Sequence, residues 1–252
     1  MRLWHKPRAI AEEGGGFSGT TTKYENNSEK DYIEKFIGWK MASNPDDQAQ
    51  IKSDVNTREA QLFYYHGHGR LGLPQTYIDH GGGKDEIVLN RNNYNEATTQ
   101  FLGIVPPNSL FGSTLIAAAD VTPKSNYRLL LMKCCFSGME GYLDWIKAFR
   151  GPVVKGIESV PPTYIGWPWI CPQAASIVFA DKFFEACDNN TKISVALDVA
   201  WLYCKTVPPN NGFPIGIGPN TIGPSIYHDE AYAMAHPEYT FDIIIDHTPG
   251  GD

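Results

Sequence analysis

The sequence lacks any run of about 18 apolar residues, so it contains no candidate transmembrane helix. It also lacks a block of Lys and Arg, and its formal net charge is -7, which together argue against a nucleic-acid surface. The first residues, MRLWHKPR, lack the apolar middle of a signal peptide. We therefore expect a cytoplasmic protein that binds neither membrane nor nucleic acid.

The sequence also lacks a CxxC pair, and its cysteines are odd in number, which argues against zinc sites and favours free thiols in a reducing compartment. His66 and His68 would share one face of a strand, but no third metal ligand follows at a diagnostic spacing. We therefore predict no metal site. The five cysteines are Cys134, Cys135, Cys171, Cys187 and Cys204.

The composition is that of an ordinary globular protein. Apolar residues make up 42% and charged residues 19% of the chain, which is enough apolar surface to build a core. A length of 252 residues suits one domain, so we predict a single domain over 1–252. Within it, 1–27 is expected to be irregular apart from a short strand at the start, and 205–252 to be rich in loops.

Apolar runs and helical periodicity alternate along the chain, which favours a mostly parallel sheet flanked by helices. We predict an α/β fold, a three-layer sandwich. The sequence indicates strands at 61–65, 128–135 and 152–157. It indicates helices at 29–43, 139–149, 173–186 and 192–204. Between them we predict a polar connection at 44–60, an elaborated loop at 70–126 with a short strand at 86–89 and a helix around 113–120, and a loop at 159–172.

Two of the predicted strands end in residues that carry chemistry. LFYYHGHG leads to His68 and Gly69, and RLLLMKCC leads to Cys135. In parallel sheets ligands bind outside the carboxyl ends of the strands, so these residues should meet. A cysteine that attacks an amide needs an imidazole and backbone N–H donors nearby. Serine hydrolysis is excluded because no G-x-S-x-G turn occurs.

These motifs resemble those of caspase-like cysteine peptidases. YYHGHG and KCCFSG are similar to the YSGHG and D-S-C-H-S-G motifs of metacaspases. GKDEIVLN at 83–90 resembles the metacaspase segment with a G-x-D-E core, and ESVPPTYIGW at 158–167 resembles the V-P-G-Y-x-S-W substrate loop of caspases. The resemblance spans about 60–205 and keeps the family's order.

The resemblance implies a role for each matching residue. His68 corresponds to the catalytic histidine and Cys135 to the nucleophile, while the amides of Gly69 and Cys135 would stabilise the oxyanion. Cys134 is the competing nucleophile, but alternation along the strand turns it to the opposite face. Phe136 stands where metacaspases have His.

The resemblance also implies a substrate-binding set. Lys133 stands where caspases carry Gln and metacaspases Asp, so the hypothesis is a preference for an acidic or polar residue before the scissile bond. Ser159, Tyr164 and Trp167 fall in the predicted substrate loop, although the two aromatic residues would also suit a core. Pro168 follows Trp167 where caspases place a specificity Arg.

The activity that this resemblance implies is a cysteine endopeptidase acting on proteins or peptides. The alternative is a catalytically inactive caspase-like module that regulates or binds partners. No cofactor is required by the motifs, and calcium is a candidate activator because metacaspases commonly need it. Dimerisation or a regulatory partner is the other candidate route, since caspases are activated as dimers or by cleavage.

Overall fold

The computed structural model of the chain describes residues 8–13, 28–36, 40–43, 48–71, 77–79, 85–87, 100–105, 116–152, 159–169, 171–206 and 221–245. Its strands are β1 (Arg8–Glu13), β2 (Lys40–Ser43), β3 (Leu62–His66), β4 (His68–Leu71), β5 (Tyr77–Asp79), β6 (Asp85–Ile87), β7 (Phe101–Val105), β8 (Leu129–Lys133), β9 (Thr163–Gly166) and β10 (Ser225–Tyr227). Its α-helices are α1 (Ser28–Phe36), α2 (Gln48–Thr57), α3 (Tyr142–Ala148), α4 (Gln173–Asp188), α5 (Ile193–Thr206) and α6 (Glu230–Ala235).

Six of these strands form one sheet in the order β10-β9-β8-β3-β1-β2. All neighbours in it are parallel except β10, which pairs antiparallel with β9 at one edge. The centre is β3 beside β8, in a register that runs from Leu62 opposite Leu129 to His66 opposite Lys133. Both central strands are buried along their whole length, as their near-continuous apolar sequences require.

The helices cover both faces of this sheet. On one face α1, α4 and α5 pack over alternate strand residues that include Tyr64 and Leu131. On the other face α2, α3 and the β7 strand pack over residues that include Tyr65 and Met132. The predicted three-layer α/β architecture with a mostly parallel sheet is confirmed. None of the described helices has the length and hydropathy needed to cross a bilayer.

Several predicted elements are confirmed with small changes at their ends. The apolar runs at 61–65 and 128–135 are the strands β3 and β8, and the predicted helices at 139–149, 173–186 and 192–204 are α3, α4 and α5. In each of them apolar residues recur with the expected period, and they are the residues buried in the core.

The prediction of an irregular segment at 1–27 is wrong for Arg8–Glu13, which is β1 and pairs along β3. Similarly, the polar connection at 44–60 contains α2, which buries Ile51 and Val55 one helical turn apart. The long helix predicted for 29–43 ends at Phe36, and Lys40–Ser43 is a strand instead.

The loops were also predicted too long. Thr163–Gly166 is a strand inside the predicted 159–172 loop, and Glu230–Ala235 is a helix inside the loop-rich 205–252 segment. Of the helix expected around 113–120, the structure describes only 116–120, where a 3-10 turn lies at Ala118–Asp120. The strand expected at 152–157 lies outside the described residues apart from Pro152.

Candidate active site

The site lies at the carboxyl edge of the sheet, where β3 and β8 end side by side. Gly67, directly after β3, donates its amide hydrogen to the carbonyl oxygen of Lys133, the last residue of β8, at 3.3 Å, which continues the pairing past the end of β3. Cys135 lies two residues after Lys133, just beyond the carboxyl end of the central strand β8. The parallel register therefore brings the two chemistry-bearing segments to the same place, as the sequence predicted.

Gly69 lies against the main chain of Cys135. A Cβ atom at this position would overlap the carbonyl oxygen of Cys135, and it would lie 3.2 Å from the sulfur of Cys134 and 3.1 Å from the ring of Phe101. Only glycine allows so close an approach of two backbones. This contact places the residue that follows His68 directly beside Cys135.

His68 begins β4, which pairs antiparallel with β7, and it lies opposite Val105 in that pair. The strand fixes its backbone between Gly67 and Gly69, both of which contact the end of β8. The side chain of His68 lies outside the described part of the structure. Its predicted catalytic role thus stays a prediction that the backbone position favours.

Cys135 is a partly exposed residue, and its thiol accepts a hydrogen bond from the backbone amide of Cys171 at 3.3 Å. Burial raises the pKa of Cys135, and the amides of Cys171 and of Cys135 itself lower it. Burial is the larger effect, so the resting group is a thiol rather than a thiolate at neutral pH.

Cys134 points the other way. It is fully buried among Leu130, Met132 and the other side chains that line the α2 and α3 face of the sheet. Burial, with additional contributions from Cys135 and Cys171, raises its pKa well above that of a free thiol. Both cysteines lie in the turn after β8, where Cys135 is the less buried residue. The choice of Cys135 over Cys134 as nucleophile stays a prediction.

The turn that follows Cys135 has an unusual backbone conformation. Phe136 has φ 63°, a left-handed conformation that a residue with a Cβ rarely adopts. Its amide donates to the Trp169 carbonyl at 2.9 Å, and its ring stacks edge-on against Trp169 with centroids 5.7 Å apart. The segment after β9 therefore holds this turn in place.

Ser137 is the polar centre of that turn and is fully buried. Its hydroxyl oxygen lies 2.8 Å from the carbonyl oxygen of Met132 and 2.9 Å from that of Cys134, and it accepts a hydrogen bond from the Trp167 amide at 2.9 Å. Its own carbonyl accepts from the hydroxyl of Tyr164 at 2.6 Å. Ser137 thus links the end of β8 to β9 and to the residue that follows β9.

Lys133 is buried, with 1% of its surface exposed, and its ammonium lies 5.7 Å from the centre of the Tyr64 ring. Its positive charge also lowers the pKa of Cys171, against the larger opposite effect of burial. The Lys133 charge therefore lies close to Cys171, whose amide bonds to the Cys135 sulfur.

The structure places the other predicted substrate-binding residues differently. Tyr164 and Trp167 are fully buried, Tyr164 in β9 and Trp167 directly after it, and both bond to the Ser137 turn; their contact with substrate stays a prediction. Ser159 is not brought to the site. It precedes the amino end of β9, and its hydroxyl donates to the Gly151 carbonyl at 3.1 Å, at the opposite edge of the sheet.

Three residues near the nucleophile were not assigned a role from the sequence. Ser137 carried a signal, since a Ser-Gly pair follows the nucleophile in the motif, but its bonds depend on a distant strand. Cys171 lies 36 residues from Cys135 and had no local signal. The conformation of Phe136 had none either, because nothing in its side chain favours a left-handed backbone.

Within the described residues, no group of three His, Cys, Asp or Glu side chains is arranged to hold a metal ion. Of the segment at 83–90 that resembles metacaspases, the structure describes only Asp85–Ile87, which form the strand β6.

No family model matches the sequence. No curated protein matches it either. Among solved structures, the chain is similar to the crystal structure of the Arg specific cysteine proteinase gingipain R (RGPB), with 13% identity and a TM-score of 0.46 over 77% of this chain and 41% of that chain. It is also similar to the complex of the Porphyromonas gingivalis RgpB pro- and mature domains, with 11% identity and a TM-score of 0.44 over 81% of this chain and 44% of that chain. The chain spans less than half the length of either neighbour, and at these values neither likeness assigns it an activity.

Proposed function

We propose that this chain is a caspase-like cysteine endopeptidase with Cys135 as nucleophile and His68 as general acid and base. One observation carries the proposal: Gly69, the residue after His68, lies in backbone contact with Cys135 at the carboxyl edge of the sheet. The partly exposed thiol and the strained turn that follows it are consistent with this role.

The reaction follows from these groups. The imidazole of His68 takes the thiol proton as the Cys135 sulfur attacks the carbonyl carbon of the scissile bond, and the amides of Gly69 and Cys135 stabilise the oxyanion. His68 then gives the proton to the leaving nitrogen, the C–N bond breaks, and a thioester remains on Cys135. Water, activated by His68, hydrolyses that thioester and releases the second product.

Turnover of an unbiased peptide library tests the activity. We expect the parent to cleave peptides and Cys135→Ala to lose cleavage by at least about 1000-fold, as removal of a covalent nucleophile does. Cys134→Ala is the matched control and should keep most of the activity. If Cys134→Ala were the inactive variant and Cys135→Ala the active one, the assigned nucleophile would be wrong.

The preference before the scissile bond is proposed to be acidic or polar because of Lys133. An ammonium at this position attracts a carboxylate, whereas it repels Arg and Lys. The library profile should therefore be poor in cleavage after Arg and Lys, and Lys133→Met should reduce the preference for acid by about tenfold. A parent profile dominated by Arg or Lys would contradict this assignment.

The alternative is a catalytically inactive module that binds or regulates partners. Two observations favour it: burial raises the pKa of Cys135, and Tyr164 and Trp167 are fully covered. The library assay should be run with and without calcium, because the proposal includes calcium as a candidate activator. Absence of cleavage in both conditions, by protein with intact structure, would favour the inactive module.

A further inference from the structure

We propose that Cys135 and Cys171 form a reversible disulfide under peroxide, which blocks the nucleophile and protects it from irreversible oxidation. This inference goes beyond the proposed function, because it requires only that the Cys135 thiol reacts with an oxidant and not that it cleaves peptides.

Proximity is the first argument. The amide nitrogen of Cys171 lies 3.3 Å from the sulfur of Cys135. Because a Cα atom is about 1.5 Å from its own nitrogen, the Cα of Cys171 lies within about 4.8 Å of that sulfur. A distance of this size between one Cα and the other sulfur is compatible with the roughly 4.4–6.8 Å that separates the two Cα atoms of a disulfide. Beyond the effect of burial, Cys135 is also close enough to Cys171 to raise the pKa of its thiol.

The surroundings of the two thiols are the second argument. Both Cys135 and Cys171 are partly exposed, whereas Cys134, Cys187 and Cys204 are buried. An oxidant of the size of hydrogen peroxide therefore reaches the first pair more readily. Lys133 is close enough to Cys171 to lower the pKa of its thiol against the effect of burial, and it would stabilise the thiolate form of Cys171, which is the form that attacks.

The chemistry balances with hydrogen peroxide as the oxidant. The Cys135 thiolate attacks the peroxide, the O–O bond breaks, and the sulfur loses two electrons to become a sulfenic acid as hydroxide leaves. The Cys171 sulfur then attacks the Cys135 sulfur; an S–S bond forms, the S–O bond breaks, and the departing hydroxide takes the Cys171 proton as water. Two thiols and one peroxide give one disulfide and two waters.

Peptide mapping of the full chain tests the pairing directly. After peroxide treatment, blocking of free thiols and non-reducing trypsin digestion, Cys134 and Cys135 lie in peptide 134–147 and Cys171 in peptide 156–182. We expect these two peptides linked, with a mass about 2 Da below their sum, and separated by dithiothreitol. Cys134→Ala should keep the link, which assigns it to Cys135.

Variants test protection. In Cys171→Ser, equal peroxide should convert Cys135 to sulfinic acid, about 32 Da heavier and not recovered by dithiothreitol, while the matched control Cys187→Ser should behave as the parent. The proposal is overturned if the parent forms no link between the two peptides, if the only disulfide joins Cys134 to Cys135, or if Cys171→Ser oxidises as reversibly as the parent. Each readout is a mass, so it can be obtained whether or not the protein cleaves peptides.

Discussion

The two halves of the site are held by different means. The Cys135 turn, defined here as 134–138, is fixed by side-chain and backbone hydrogen bonds to β8, to β9 and to the residues after β9, and these bonds centre on Ser137. The histidine segment, defined as 67–69, is held by backbone contacts: the Gly67 amide bonds to Lys133, His68 and Gly69 pair with β7, and Gly69 lies against Cys135. The first half should therefore tolerate the loss of one bond, whereas the second leaves no room for a side chain at Gly69.

Among changes that keep both His68 and Cys135, the largest effect is expected from Gly69→Ala, because the new Cβ would overlap the Cys135 carbonyl oxygen. The overlap must push the histidine segment away from the nucleophile, and a displacement of about 1 Å can cost about 100-fold in rate. Stability should also fall by about 1–3 kcal/mol. Library cleavage and urea unfolding measure the two effects.

Gly223→Ala is the matched control. A Cβ there would overlap the Trp201 ring on α5, away from the site, so stability should fall while the cleavage rate of folded protein stays unchanged. Equal losses of rate in the two variants would show that the Gly69 contact matters only for stability.

A smaller effect is expected from Ser137→Ala. The change leaves the buried Trp167 amide without the hydroxyl that it bonds to, which should cost about 1–3 kcal/mol of stability. The rate should fall by only about tenfold, because the amides of Phe136 and Gly138 still bond to the carbonyl oxygens of residues that follow β9. Ser194→Ala, which loses a bond to Asp242 far from the site, should lower stability without changing the rate. A rate loss as large as that of Gly69→Ala would remove the contrast between the two halves.

Tyr164→Phe should have a smaller effect still. It removes one hydrogen bond, from the phenol to the Ser137 carbonyl, and so should destabilise the chain by about 1–2 kcal/mol while the rate and KM change by less than about threefold. Tyr127→Phe is the control, because the Tyr127 hydroxyl is buried without a hydrogen-bond partner among the described residues and its removal should cost nothing. A large rise in KM for Tyr164→Phe would instead support the predicted contact with substrate.

The pH dependence of alkylation distinguishes a neutral thiol from a thiolate paired with imidazolium. Because burial raises the pKa of Cys135 above its usual value of 9.0, the folded thiol holds its proton more tightly than a free one. The rate at which iodoacetamide alkylates Cys135 in the folded chain should therefore keep rising with pH, above the pH at which the rate for the unfolded chain becomes constant. A plateau below neutral pH would show that an ion pair lowers the pKa instead.

The sequence was sufficient for the parts of the fold that rest on long apolar runs. The strands β3 and β8 and the helices α4 and α5 were predicted because their buried residues form continuous or periodic patterns. β1 was missed because RAIAEE mixes charge with apolar residues, and α2 because only Ile51 and Val55 mark its buried side. β9 was missed because the prolines on either side of it indicated a loop.

The site shows the same division. That Cys135 and Gly69 meet was predictable, because parallel strands bring their carboxyl ends to one edge. The Ser137 bonds and the Cys171 amide were not, because they join residues about 30 positions apart through a strand that the sequence did not reveal. Ser159 was placed in the substrate loop by motif alone, and the register of β9 with β8 puts it at the opposite edge.

The central claim is that Cys135 is a nucleophile activated at the edge of the sheet, and covalent capture tests it most directly. The folded chain would be treated with a peptide electrophile directed at cysteine peptidases, and the adduct located by mass in peptide 134–147. The account predicts one adduct per chain, on Cys135, retained in Cys134→Ala and absent from Cys135→Ala. No adduct on the parent, or an undiminished adduct on Cys135→Ala, would contradict it.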